Sequence, residues 1–289
     1  MSAGLPLREE DLEASRPDNT NACKICFYTL MPQKIYKLTY HAVSILMTRK
    51  SDRRKQDPAD LPPASMSSEP RREELGAYIA HPETYPRDIV VYYNEDFVAI
   101  FDKYPKSSLH LLLLPRDPYR TRLHPAIALE DTEFLAKVKP EADRLRNFAA
   151  EELRRRYGKD SAKESVRREA LMVEPPADEL PAGRDWGREI ICGIHAHPSM
   201  NNLHIHVISV DRHSDRMKNR THYNSFSTPF FVRLEEFPLG AEEGRRRISR
   251  SGNYLSEDLV CWRCHRNFGN KFAELKRHLD QEFDSWKKL

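Results

Sequence analysis

The run His195-Ala-His-Pro-Ser-Met-Asn-Asn-Leu-His-Ile-His-Val-Ile208 constrains this chain more than any other stretch, because its second half suits one local structure. From Leu203 onward the histidines alternate with apolar residues at the period of a β-strand. In a strand, His204 and His206 share one face, while Leu203, Ile205 and Val207 share the other. Two imidazoles held side by side on a rigid strand suit a nucleophile with a proton donor, or a pair of metal ligands. Both readings stay open on these residues.

The surrounding pattern supplies a framework for that strand. Ile89–Tyr93 and Phe97–Phe101 read as strands around the turn Asn94-Glu95-Asp96, and Leu109–Leu114 reads as a third, ended by Pro115. Glu130–Tyr157 has helical spacing, with Phe134, Val138, Leu145, Phe148 and Leu153 on one side; Pro140 predicts a kink or a division, and Gly158 a stop. Lys159–Gly183 is charged and proline-bearing and reads as a long loop. Arg188–Ile194 and Leu203–Val210 complete the strands, joined by the histidine-rich turn. The order β-β-β-α-β-β predicts an antiparallel α+β domain.

At 289 residues the chain has room for one or two domains with a sizeable core. No apolar run approaches eighteen residues, and the N-terminus lacks the basic-then-apolar layout of a signal peptide, so a soluble intracellular protein without membrane partners is expected. Residues 1–74 are expected to be a disordered extension, because Lys50–Glu74 is too polar and charged to repay its ordering entropy. Within it, Cys23-Lys-Ile-Cys26 lacks a second ligand pair and reads as accidental spacing, and Arg49–Lys55 is a weak nuclear-import candidate. The chain carries a net charge of +3. From Arg212 to Leu289 there are 16 Lys+Arg against 11 Asp+Glu, which hints at an anionic polymer as partner.

Four of the five cysteines lie in CxxC pairs, which suits metal in a reducing compartment better than disulfides. The second pair opens the series Cys261-x2-Cys264-x13-His278-x3-Glu282. His278 and Glu282 fall on one face of a helix, and Zn²⁺ accepts a carboxylate oxygen at about the distance of an imidazole nitrogen. Phe268, Phe272, Leu275 and Leu279 supply a small apolar core. Four protein ligands close the coordination sphere, which predicts one structural zinc ion. Glu282 is the ligand least fixed by spacing, since His265 or a water could replace it. A lone finger has too small a surface for much sequence specificity, so backbone contact with nucleic acid is expected.

A second block, Asp102-Lys-Tyr-Pro-Lys106-Ser-Ser-Leu-His110-Leu-Leu-Leu-Leu-Pro115, precedes the histidine run. Together the two blocks resemble the histidine triad (HIT) superfamily, and with the zinc module they resemble its aprataxin family in the fungal form without a forkhead-associated domain. The resemblance runs from about Leu75 to the C-terminus and implies a HIT-like antiparallel sheet with helices. It implies a HIT catalytic domain over 75–226 and a basic C-terminal region with the finger over 227–289. The activity implied is removal of AMP from 5′-adenylated DNA left by abortive ligation, in the nucleus, through a covalent adenylyl-histidine. Adenylated or nicked DNA is the expected partner, AMP the product, and DNA-repair proteins further candidates.

The resemblance also implies residue roles. His204 is the expected nucleophile, His206 binds the transferred phosphoryl oxygens, His195 is the general acid, and His110 closes the phosphate side. Ile100 and Phe101 are expected to flank the adenine, Asp102 to hold the ribose hydroxyls, and Lys106 to line the nucleotide pocket. Ser199 is expected to cradle phosphate. Two departures stand out. Asn202 occupies the first triad position, where it is expected to make an orienting hydrogen bond. In Lys218-Asn-Arg-Thr-His-Tyr-Asn-Ser-Phe226, Thr221 and Tyr223 depart from the family's stretch. The alternatives are a HIT hydrolase of small adenylated nucleotides and a non-catalytic zinc-dependent DNA-binding protein.

Overall fold

The structure, a computed structural model, describes residues 72–175, 178–246 and 253–289. Except for residues 72–74, the expectations for the N-terminal extension, including Cys23, Cys26 and Arg49–Lys55, lie outside the described residues. Six strands form one sheet: β1 (Val90–Tyr93), β2 (Phe97–Phe101), β3 (His110–Pro115), β4 (Ile190–His195), β5 (Ile205–Ser209) and β6 (Phe231–Arg233). They lie in the order β1-β2-β3-β5-β4-β6, every pair antiparallel. Among the described residues the α-helices are α1 (Glu74–Ala80), α2 (Pro125–Ala128), α3 (Thr132–Tyr157), α4 (Ala162–Leu171), α5 (Arg220–Ser227) and α6 (Phe272–Lys287).

Local chemistry explains the joints. The turn between β1 and β2 forms because Asn94 Oδ1 accepts from the amides of Asp96 and Phe97 at 2.9 and 2.7 Å. Asp131 caps α3 by accepting from the amides of Glu133 and Phe134. Pro140 does not divide that helix. It lies on the exposed side, as does Ala136, so the carbonyl that loses its partner four residues back is open to water. Gly158 ends the helix in a right-handed conformation.

Two expectations change. The segment expected to be a loop contains α4, started by Ser161, whose Oγ accepts from the Glu164 amide. Its inward residue is the charged Glu164, so the apolar period that marks a helix is missing. Strand β6 comes from beyond residue 226 and is three residues long, too short for alternation to register.

The sheet sorts its side chains by parity. Phe97 and Ala99, Leu111 and Leu113, Ile190, Cys192 and Ile194, and Ile205 and Val207 face one side. Helix α3 covers that side with Phe134, Leu135, Val138, Ala142, Leu145, Ala149 and Leu153. Phe148 does not join them; it is 39 % exposed, and Ala149 takes the core position. Each of the large side chains in this layer contributes about 1.5–3 kcal/mol through burial. The opposite face carries His110, His204 and His206. One face is filled by a helix, which leaves the other for chemistry.

Candidate active site

The pairing of β3 with β5 places Leu112 opposite His206 and His110 opposite Ile208. His110, His204 and His206 therefore project from the face that α3 does not cover, and His195 joins them from the end of β4. A cleft of about 460 Å³ opens over them. That volume suits a small ligand such as a mononucleotide.

His204 is 4 % exposed, and its Nδ1–H donates to the Asn202 carbonyl at 2.7 Å. That bond fixes the tautomer and leaves the Nε2 lone pair free. Burial holds this imidazole below its ordinary value of 6.5. A neutral imidazole with one bare nitrogen is a nucleophile.

His206 stands 4.8 Å from His204, ring centre to ring centre, with the planes nearly perpendicular. Its Nδ1 lies 2.9 Å from His110 Nε2, while its own Nε2 is buried without a protein partner. His195 likewise has a buried Nε2 without a partner, and its ring centre is 4.5 Å from that of His206. Two orphaned nitrogens beside His204 are suited to phosphoryl oxygens, since buried polar atoms normally have partners. Burial first, then the neighbouring imidazoles, hold both His195 and His206 well below 6.5. Burial also lowers His110 to about 4, with Asp102 opposing. All four are neutral at pH 7.

Asp102, His110 and His206 make a metal-capable group, their candidate ligand atoms lying within 4.8 Å of one another. The geometry is a chain instead. His110 turns Nδ1 to Asp102 Oδ2 at 3.3 Å and to the Lys106 amide at 3.2 Å, and turns Nε2 to His206. One imidazole with its two nitrogens aimed at opposite neighbours does not converge with them on a single ion.

The remaining residues divide. Ile100, Asp102, Lys106 and Ser199 line the cleft. Burial lowers the Lys106 amine, and Asp102 opposes that. Phe101 does not flank the cleft with Ile100; it packs against the α3-side core, because successive strand residues point to opposite faces. Asn202 also stays outside. Its side-chain amide is 3.4 Å from Thr121 Oγ1, and what it gives the site is its backbone carbonyl to His204.

Several cleft residues escaped sequence reasoning. Phe226 of α5 places its ring 5.4, 4.6 and 5.1 Å from the rings of His110, His195 and His206. Leu75 and Tyr78 of α1, with Met200 and Leu112, form an apolar wall. Leu255 reaches the cleft from the linker before the zinc module. Phe226, Leu112 and Met200 had a signal, their places in the stretches Lys218–Phe226, Asp102–Pro115 and His195–Ile208; Leu75, Tyr78 and Leu255 had none.

Cys261, Cys264, His278 and Glu282 converge within 4.8 Å. Cys264 Sγ lies 3.1 Å from His278 Nε2, and that nitrogen lies 3.2 Å from Glu282 Oε1. A tetrahedron with zinc bonds of about 2.0–2.3 Å has edges of roughly 3.4 Å, so the donor set fits the ion. Glu282 is in the cluster and His265 is not. Arg263 Nη1 holds the second Glu282 oxygen at 2.6 Å. The knuckle is tied to α5 by Tyr223, whose hydroxyl donates to the Val260 carbonyl at 2.9 Å and accepts from the Trp262 amide at 3.0 Å.

Comparison with known proteins adds to this geometry. Residues 84–213 match the HIT domain, and residues 227–285 match the C2HE / C2H2 / C2HC zinc-binding finger. The chain is 39% identical over 217 residues to an aprataxin-like protein of Saccharomyces cerevisiae, covering 74% of this chain and 96% of that one. An aprataxin-like protein of Schizosaccharomyces pombe is 34% identical, covering 74% of this chain and 82% of its own length. Among solved structures, the aprataxin ortholog Hnt3 in complex with DNA is similar, with a TM-score of 0.57 and 33% identity over 75% of this chain and 96% of that one.

Proposed function

This chain belongs to the aprataxin family of HIT-domain proteins with a C-terminal C2HE finger, and from that membership we propose that it removes AMP from 5′-adenylated DNA ends. The observation that carries the reading is the group of nitrogens at the cleft floor. His204 offers a free Nε2, with the partnerless Nε2 atoms of His195 and His206 beside it. The DNA in the Hnt3 complex supports the polymer as substrate.

His204 Nε2 attacks the AMP phosphorus. The N–P bond forms as the P–O bond to the DNA 5′-phosphate breaks, and that phosphate departs with the electron pair. His206 and His110 form a hydrogen-bonded pair through which His206 presents Nε2–H to the phosphoryl oxygens. His195 is the proton donor: the entering anionic phosphates raise its proton affinity, and a phosphate leaving group needs only modest donation. Water then attacks the phosphorus and the P–N bond breaks. The electron pair returns to His204, the water proton passes to His195, and AMP leaves. Ile100 contacts the adenine, Asp102 and Lys106 the ribose side, and Ser199 the phosphate. Cys261, Cys264, His278 and Glu282 would hold one zinc ion, which supplies a structural cross-link. Broken DNA as substrate supports a nuclear setting among DNA-repair proteins as part of the same reading.

A nicked duplex with a 5′-adenylated end tests this. Wild-type protein is expected to release AMP and, when quenched, to carry an adenylyl group. His204→Ala is expected to abolish both while retaining DNA binding, and normal turnover by that variant would overturn the nucleophile assignment. A cleft of about 460 Å³ is of a size for a mononucleotide alone, so small adenylated nucleotides are the alternative substrate. Equal rates on AMP-amide and on the adenylated nick would favour it. DNA binding without AMP release would favour the non-catalytic reading.

A further inference from the structure

Arg212 follows β5 with a left-handed backbone, φ 53°, and is only 4 % exposed. Both features cost free energy. A side chain with a β-carbon is strained at that φ, and a guanidinium removed from water needs compensation. Among the described residues no carboxylate pairs with it: neighbouring Asp211 turns instead to Ser108, Ser209 and the His213 amide.

Its hydrogen bonds go elsewhere. Nη1 donates to the Ser209 carbonyl at 3.0 Å and Nη2 to the Phe226 carbonyl at 2.8 Å, with Nε 3.5 Å from Ser227 Oγ. These contacts fasten the end of β5 to the last turn of α5, where helix carbonyls favour a cation. The guanidinium lies 5.8 Å from the Phe226 ring. The same ring packs against three of the four cleft histidines.

We propose that Arg212 is a positioning residue for adenylyl transfer, a buried guanidinium that seats Phe226 against the histidines and sets fixed positive charge behind the phosphate site. The charge survives burial. Although burial lowers Arg212 to about 10, it remains protonated at pH 7. The groups facing it are Asp211 beside it, neutral Tyr223 on α5 and Arg233 on β6, with His110 beyond Phe226. Positive charge there adds to the burial that keeps His110 neutral and attracts an anionic substrate.

The test rests on the adenylyl-transfer reading, which fails separately if wild-type protein releases no AMP from the adenylated nick. Arg212→Gln removes the charge but keeps a donor, and Arg212→Lys keeps the charge but loses the planar fork. Arg212→Gln is expected to move the acidic limb of the kcat/KM profile to higher pH by roughly half a unit. Arg212→Lys is expected to leave that limb in place while kcat falls roughly tenfold as Phe226 loses its seat. Folded variants with wild-type kcat and pH profile, changed only in Tm, would overturn the proposal. Should Arg212→Gln fail to fold, Arg212→Lys decides alone: a lowered kcat with an unmoved limb supports it, and wild-type kcat overturns it.

Discussion

Four imidazoles stripped of water make this fold sensitive to acid. His110 drops from 6.5 to about 4, and His195, His204 and His206 are lowered as well, each chiefly by burial. Between those values the unfolded chain binds protons that the folded chain refuses, so stability is complete above pH 7 and is lost as pH falls from about 6.5 toward 4. For His110 alone that span corresponds to about 3 kcal/mol. Above pH 5 carboxylates held low by arginines, such as Glu152, keep their charge, so the loss there belongs to the histidines. Thermal unfolding without DNA should therefore show Tm falling steadily from pH 6.5 to pH 5. A flat Tm over that range would mean that the folded site accepts protons. At this scale the sequence was informative about residue type and face, but not about partners. His110 and His206 are 96 positions apart, and nothing local announces their bond.

Strands were read well where they are long and alternate, and poorly where other contacts decide them. Strand β6 exists because β4 offers it an edge, and Gly193 is what permits the fit. A β-carbon on Gly193 would lie 2.5 Å from the Val232 carbonyl and 2.6 Å from the Phe231 ring. Gly193→Ala is therefore expected to cost about 1–3 kcal/mol, read as a lower urea midpoint at unchanged slope. An unchanged midpoint would show that β6 shifts freely. The displaced Phe231 ring packs on Phe226 and His206, so the same variant should also weaken the site. Helix α5 links two functions: Phe226 faces the histidines, while Tyr223 holds the zinc knuckle. Its sequence advertises neither contact, because Tyr223, Asn224, Ser225 and Phe226 are buried in succession, which covers the helix nearly all round and leaves no single apolar stripe.

Across the whole molecule, the last helix serves two cores. The middle of α6 carries the zinc-ligand candidates His278 and Glu282, and Leu275 and Leu279 pack with the knuckle. Its end delivers Phe283 and Trp286 to the main core beneath the sheet. There Arg184 sits against both Trp186 and Trp286, 4.3 and 4.6 Å from the two rings, and donates to the Trp286 carbonyl at 2.7 Å. Trp286→Ala should thus destabilise the catalytic body by about 3–5 kcal/mol while leaving bound zinc at one ion per chain. Calorimetry with metal analysis checks this, and an unchanged Tm would mean the finger is a detachable appendage. What the sequence by itself determined was local. Alternation set the histidine face of β5, and the Cys, His and Glu spacing picked out the four zinc-ligand candidates, because strand and helix periods write themselves into neighbouring residues. Phe101 was legible by the same alternation, though the family resemblance pointed the other way. What only the tertiary structure decided was the company each face keeps: His206 with His110, Phe226 over the histidines, Trp286 in the core. A period says which way a side chain points, whereas its neighbours across the chain are chosen by packing the whole molecule at once.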